Sequence, residues 1–114
     1  MKLEVGQFAR LKSGYIVKVL NVKDDWIETD TKFITRTFPK DFVKASYNII
    51  DILEVGDYVN GNKVIEIEKN YKFIDGTIRD ILWTDTKMQK AIWDETIKSI
   101  VTHEQMEQME YKVG

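Results

Sequence analysis

Few side chains in this sequence are equipped for chemistry, and their spacing narrows what that chemistry is. The single histidine, His103, stands beside Glu104 in a chain without cysteine. A lone imidazole with no thiolate does not make a usual zinc site, so His103 is read as a surface residue at the start of a helix. No serine lies in a Gly-x-Ser-x-Gly elbow, which leaves no hydrolase-type nucleophile. Of the acids, Asp24, Asp25, Asp30 and Asp85 stand out, but none has calcium-loop spacing. Asp30 and Asp85 each sit in a Thr-Asp-Thr-Lys run at a strand end. There a carboxylate serves as an acceptor for backbone N–H groups; the sharper alternative is a pair of equivalent carboxylates working as acid and base. Neither Gly-x-x-x-x-Gly-Lys nor Gly-x-Gly-x-x-Gly occurs, so no phosphate cradle is expected. The chain is therefore read as non-enzymatic, with no catalytic residue, metal ligand or cofactor.

Binding is the better-supported class. Lys32, Arg36, Lys40 and Lys44 are interleaved with Phe33, Phe38 and Phe42. A strand over Lys32–Phe38 puts Lys32, Ile34 and Arg36 on one face. Basic groups with neighbouring aromatics can hold phosphates and stack bases. Against this, only four charges are involved, the whole chain carries −2, and Phe33 and Phe38 also suit a core. Trp26 and Trp83 are read as one core anchor for each half of the chain. Trp93 has no tryptophan counterpart in the first half, and an exposed tryptophan is a natural hot spot for a protein partner. The candidate binding residues are thus Lys32, Arg36, Lys40, Lys44 and Trp93.

These residues must be positioned by a small frame. The chain has 114 residues, 43% hydrophobic and 32% charged, with 13 aromatics and one proline, which is the profile of a folded domain rather than a disordered one. No apolar run approaches the length of a membrane span. The segment Met1–Gly6 lacks the apolar region of a signal peptide, and a cytoplasmic setting is expected. Charge is uneven. Residues 1–50 hold nine Lys+Arg against six Asp+Glu, a net of +3, and residues 51–114 hold eight against 13, a net of −5. Such a polar chain can stack head to tail, so homo-oligomers are an open expectation.

Three signatures recur in the same order. Leu3-Glu4-Val5-Gly6 returns as Leu53-Glu54-Val55-Gly56, Thr29-Asp30-Thr31-Lys32 as Thr84-Asp85-Thr86-Lys87, and Ile49–Leu53 is matched with Ile97–Val101. Short alternating strands separated by turns near Gly14, Asp24, Gly61 and Asp75-Gly76 suggest small barrels. The expected fold is all-β: two tandem SH3-like barrels related by internal duplication, residues 1–52 and 53–114. Pro39–Ala45 is expected to form one helical turn, and Asn48–Leu53 and Thr96–Val101 the closing strands. Thr102-His103-Glu104-Gln105 fits a capping box and opens a short C-terminal helix to Glu110, with Met106 and Met109 on one face and a tail through Tyr111 and Val113. About 50 residues is marginal for an independent fold, so a core shared by both halves is an alternative to two separate ones.

The stretch Asn48–Ile67, the run Ile97–Gln105 and the end Glu110-Tyr111-Lys112-Val113 resemble small uncharacterised proteins encoded in phages and prophages of Firmicutes. The resemblance is clearest over the second half, where Gly56-Asp57-Tyr58-Val59-Asn60-Gly61 stands. It carries no activity and no catalytic residue. It implies a phage or prophage accessory protein in the bacterial cytoplasm, with a host or phage protein as partner. An inhibitor of a host or defence factor fits that setting; a small-barrel nucleic-acid binder using the Lys32–Lys44 face is the alternative.

Overall fold

The computed structural model describes residues 2–31, 37–86 and 91–109. The chain divides into two units, residues 1–52 and 53–114, each built on a four-stranded antiparallel sheet. In the first unit β1 (Phe8–Leu11), β2 (Ile16–Val22), β3 (Ile27–Thr29) and β4 (Phe42–Ser46) lie in the order β3-β2-β1-β4. In the second, β5 (Tyr58–Val59), β6 (Asn62–Lys72), β7 (Ile78–Thr84) and β8 (Ile100–Val101) lie in the order β7-β6-β5-β8. The helix α1 (His103–Met109) follows β8. The chain is mainly β with one short C-terminal helix, as its alternating apolar segments predict.

Each strand is placed by a turn that its sequence specifies. Glu4-Val5-Gly6-Gln7 closes through a Gln7 N–H to Glu4 C=O bond of 3.2 Å, and Glu54-Val55-Gly56-Asp57 through an Asp57 N–H to Glu54 C=O bond of 3.1 Å. Gly6 and Gly56 have φ of 91° and 100° at the third position, where this turn needs glycine. In both turns the fourth side chain reaches back to the first N–H. Gln7 Oε1 accepts from Glu4 at 2.9 Å, and Asp57 Oδ2 accepts from Glu54 at 2.7 Å.

Bond by bond, the second sheet follows the first. Gly6 N–H donates to Val19 C=O, and Gly56 N–H to Val64 C=O. Asp30 Oδ1 accepts the Lys18 N–H at 2.8 Å, and Asp85 Oδ1 accepts the Lys63 N–H at 3.1 Å. The two Thr-Asp-Thr-Lys carboxylates therefore do bind backbone N–H groups, on the neighbouring strand. Ile27 bridges Thr37, and Leu82 bridges Ile92. A 3-10 turn follows each bridge, Pro39–Asp41 and Asp94–Thr96. Asp41 Oδ2 accepts the Phe38 N–H at 3.0 Å, and Thr96 Oγ1 accepts the Trp93 N–H at 3.1 Å.

Several expectations are corrected. Neither sheet closes into a barrel among the described residues. Ile49–Ile52, expected as a closing strand, is a 3-10 turn, because Asn48 Oδ1 captures the Ile50 N–H at 3.1 Å and pulls the chain into a local turn. The strand preceding it is Phe42–Ser46, where a helical turn was expected to continue; only Pro39–Asp41 is helical. Ile100–Val101 therefore matches Ala45–Ser46, which hold the same register against β1 that Ile100–Val101 hold against β5, and not Ile49–Leu53. Five residues of the expected strand Lys32–Phe38, the first three of the segment Met88–Trp93, and the tail through Tyr111 and Val113 lie outside the described residues.

The first core gathers Leu3, Ala9, Leu11, Val17, Val19, Ile27 and Phe42. In the second unit Leu53, Val59, Val64, Ile81, Leu82 and Ile92 are buried. Trp26 and Trp83 are only half-buried; the anchors at those places are their neighbours Ile27 and Leu82. Arg10 is fully buried and donates from Nη1 to the Ile52 C=O at 3.1 Å. At the start of α1 the expected capping box is formed: the Thr102 N–H donates to Gln105 Oε1 at 3.0 Å, and the Gln105 N–H to Thr102 Oγ1 at 3.3 Å.

Asp57 is fully buried, and besides Glu54 it takes the His103 N–H on Oδ1 at 2.9 Å. Asp57→Ala leaves two donors without their acceptor and is expected to lower stability by about 3 kcal/mol, against about 1 kcal/mol for Gln7→Ala. Urea unfolding of the full chain measures both. Equal losses would show that the second oxygen of Asp57 contributes nothing.

Candidate protein-docking site

The long hairpin β6–β7 carries a second apolar layer, on the sheet face opposite Val64 and Leu82. Two irregularities in β6 produce it. Glu66 pairs with Trp83 and Glu68 with Ile81, but the next pair is Tyr71 with Arg79. Between these pairs β6 advances three residues while β7 advances two, the signature of a bulge. Asn70 accommodates the extra residue with φ of 57°, a conformation asparagine tolerates. Its N–H donates to Asp80 Oδ1 at 2.9 Å, and Asp80 Oδ2 holds Lys69 Nζ at 2.7 Å. The bulge shifts the alternation, so Tyr71 and Phe73 fall on the same face as Glu68 and Trp83. An unbroken period of two would place them on the other face.

Four rings then form a continuous edge-to-face ladder. Trp83 meets Tyr71 at 5.9 Å and 84°, Tyr71 meets Phe73 at 5.1 Å and 79°, and Phe73 meets Trp93 at 5.7 Å and 74°. These are the geometries that ring quadrupoles favour. Ile81, on the same face, is fully buried, while the rings themselves stay half-buried. Its ends carry opposite charge. Trp83 Nε1–H donates to Glu68 Oε2 at 2.9 Å. At the far end the Arg79 guanidinium lies 5.5 Å from the Trp93 ring centre and 3.6 Å from Glu95 Oε1. Beside the acidic end, Ile65, Glu66, Glu68, Trp83 and Thr84 line an open groove of about 330 Å³.

The hairpin tip is held rigidly. Phe73 N–H donates to Thr77 C=O at 2.8 Å around Ile74-Asp75-Gly76, and Gly76 takes φ of 90°, the left-handed position of a three-residue hairpin loop. The Asp75 carboxylate accepts the Thr77 hydroxyl at 2.7 Å and the Thr77 N–H at 3.0 Å. Those bonds, the hydroxyl first, hold its carboxyl below the ordinary range. The support is thus present at neutral pH and is lost as the pH falls through that lowered value. Ile74, at the tip, is fully exposed.

Of the sequence-derived candidates, Trp93 belongs to this site. It is half-buried by Phe73 and Arg79 instead of standing alone. Lys40 lies in the exposed 3-10 turn of the first unit, and Lys44 is half-buried on β4 opposite Arg10. Lys32 and Arg36 lie outside the described residues. The aromatics expected among these cations separate: Phe42 is core and Phe38 is exposed. His103 is no simple surface residue, since its Nε2 lies 2.7 Å from Glu54 and 2.6 Å from Glu104. The ladder residues Tyr71, Phe73 and Arg79 were missed by sequence reasoning. The available signal was an aromatic pair two apart, Tyr71 and Phe73, preceding Asp75-Gly76.

Comparison of the chain with protein-family models, curated proteins and solved structures returns no match. Deleting Asn70 restores the period of two and turns Tyr71 and Phe73 away from the tryptophans. The expected result is loss of the near-UV circular dichroism of the ladder and roughly 2 kcal/mol of stability, the two ring contacts to Trp83 and Trp93 at about 1 kcal/mol each. Asn70→Gly, which keeps the bulge, is expected to preserve the signal. An unchanged spectrum in the deletion would disprove the bulge as the device that aims the rings.

Proposed function

We propose that this chain is a non-enzymatic protein-binding module, a phage or prophage accessory protein of the bacterial cytoplasm. Its site is the ring ladder of β6–β7, and its partner offers an apolar segment with a basic side chain. The observation that carries the reading is the ladder with its adjoining groove: four half-buried rings beside Glu66 and Glu68. Half-buried tryptophans set in a rigid sheet lose little freedom on docking and supply most of the contact energy at interfaces. The carboxylates at the groove select a cation over a phosphate, which favours a protein partner above nucleic acid at this face. An inhibitor of a host or defence factor is the narrower form of the same reading.

We also read the two units as SH3-like halves related by duplication. Support comes from their matching strand orders, turn bonds and cross-strand carboxylates. Further support is the succession of bridge, 3-10 turn and last strand in each. Among the described residues no helix is long and apolar enough to cross a membrane.

Affinity capture on tagged full-length protein from a nuclease-treated Gram-positive lysate tests the function, with three proteins side by side. The parent is expected to retain a protein partner. Trp93→Ala is expected to weaken retention at least about tenfold, the scale of an interface hot spot. Lys40→Glu with Lys44→Glu is expected to retain the partner unchanged. Retention unaffected by Trp93→Ala would overturn the assignment of the site. Capture seen only in a parallel untreated lysate, and lost with the Lys40 and Lys44 reversals, would replace it with nucleic-acid binding by the first unit.

A further inference from the structure

We propose that Glu54, His103 and Glu104 form a binding site for one divalent transition-metal ion of the zinc class. The proposal is independent of the ring ladder. His103 Nε2 lies 2.7 Å from Glu54 Oε1 and 2.6 Å from Glu104 Oε1. One ligand atom from each of the three residues lies within 4.8 Å of the other two. Two carboxylates thus converge on one ring nitrogen, which carries at most one proton to share between them. A divalent ion in place of that proton would meet both oxygens and the nitrogen lone pair, with the ring proton moved to Nδ1.

The donor set fits this class of ion. An imidazole nitrogen with two carboxylate oxygens suits zinc and its first-row neighbours better than magnesium or calcium, which prefer all-oxygen shells. Metal–ligand distances near 2.0–2.2 Å place neighbouring ligands of a tetrahedral shell at about 3.3 Å. The present separations are hydrogen-bond lengths, so binding requires the carboxylates to withdraw by roughly 0.7 Å. The three side chains are partly open to solvent, at 35%, 32% and 21% exposure, which leaves space for that movement and for water to complete the shell.

The backbone around the site is fixed before any ion arrives. Asp57 accepts the N–H groups of both Glu54 and His103, and so sets the turn and the first residue of α1 in register. The corresponding lock of the first unit has no such capacity. There the Tyr47 hydroxyl donates to Glu4 Oε2 at 2.7 Å. That bond, the largest cause, raises the phenol above its ordinary value and keeps it a donor. In the second unit an imidazole one place further along the chain than the phenol meets the turn glutamate, and Glu104 joins it, so a set of ligands stands where the first unit has a hydrogen-bonded lock.

Because His103 is the only histidine, its ring signals in proton NMR report on the site without ambiguity. Zinc is titrated into the full chain near neutral pH, with calorimetry for stoichiometry and NMR for the ring. The expected result is one zinc per chain, shifted His103 ring signals, and no comparable effect from magnesium. Glu104→Gln is expected to weaken zinc at least about tenfold, and Glu4→Gln, at the matching lock of the first unit, to leave it unchanged. Ring signals that do not move with zinc, or equal affinity in Glu104→Gln and the parent, would overturn the site.

Discussion

The second unit depends on one carboxylate. Asp57 closes the turn that begins β5 and, 46 residues further along the chain, receives the first N–H of α1. A hydrogen bond to a charged acceptor is stronger than one between neutral groups, and its loss in a buried setting leaves the donors to bear the full cost of desolvation. This explains why a helix of seven residues, too short to be stable alone, has a defined start. The capping box of Thr102 and Gln105 satisfies its neighbouring groups, but Asp57 ties the helix to the sheet. In the first unit Gln7 stands in the same place and serves the turn alone.

Much of this frame was legible in the sequence. The repeated Glu-Val-Gly and Thr-Asp-Thr-Lys runs mark places where backbone groups need a specific partner, and such local chemistry is read directly from residue type. So were the capping box and the Asp75-Gly76 hairpin turn. The misreadings have a common cause. Asn48–Leu53 is apolar enough for a strand, but Asn48 captures a local N–H, and a short side chain competing for the backbone overrides propensity. The tryptophans were assigned by type, although Trp26 and Trp83 differ by two places relative to their Thr-Asp-Thr-Lys runs. Register, not residue identity, decides which positions are equivalent.

The candidate site was barely legible because it rests on the bulge at Asn70. Counted from Glu66, alternation along β6 assigns faces correctly only as far as Glu68, the shift at Ile65 having already reversed them once. Beyond that point each side chain points to the face opposite the one that counting predicts. Bulges leave a weak mark in sequence, here one asparagine between a lysine and a tyrosine, and their partner Asp80 lies on another strand. The metal-capable trio was hidden for a similar reason. His103 and Glu104 are adjacent, but Glu54 is brought to them by Asp57, and no local spacing announces that meeting.

The two units have a common set of turns while their outer faces differ. Where the second sheet pairs Glu66 with Trp83, the first pairs Asn21 with Glu28 in the corresponding step after Leu20 and Ile65, each the unpaired residue of a register shift. Among the described residues the first sheet has no ring ladder at those positions: Asn21 is half-buried and Glu28 exposed. The second hairpin is also longer: β6 and β7 span 11 and seven residues, against seven and three for β2 and β3. The added turn-proximal length holds Tyr71, Phe73 and Arg79, none of which the frame requires for its own core. Residues that rigidify a surface without serving the core suit contact with another molecule. On that ground the proposed docking site is placed on the ladder and not on the shared framework.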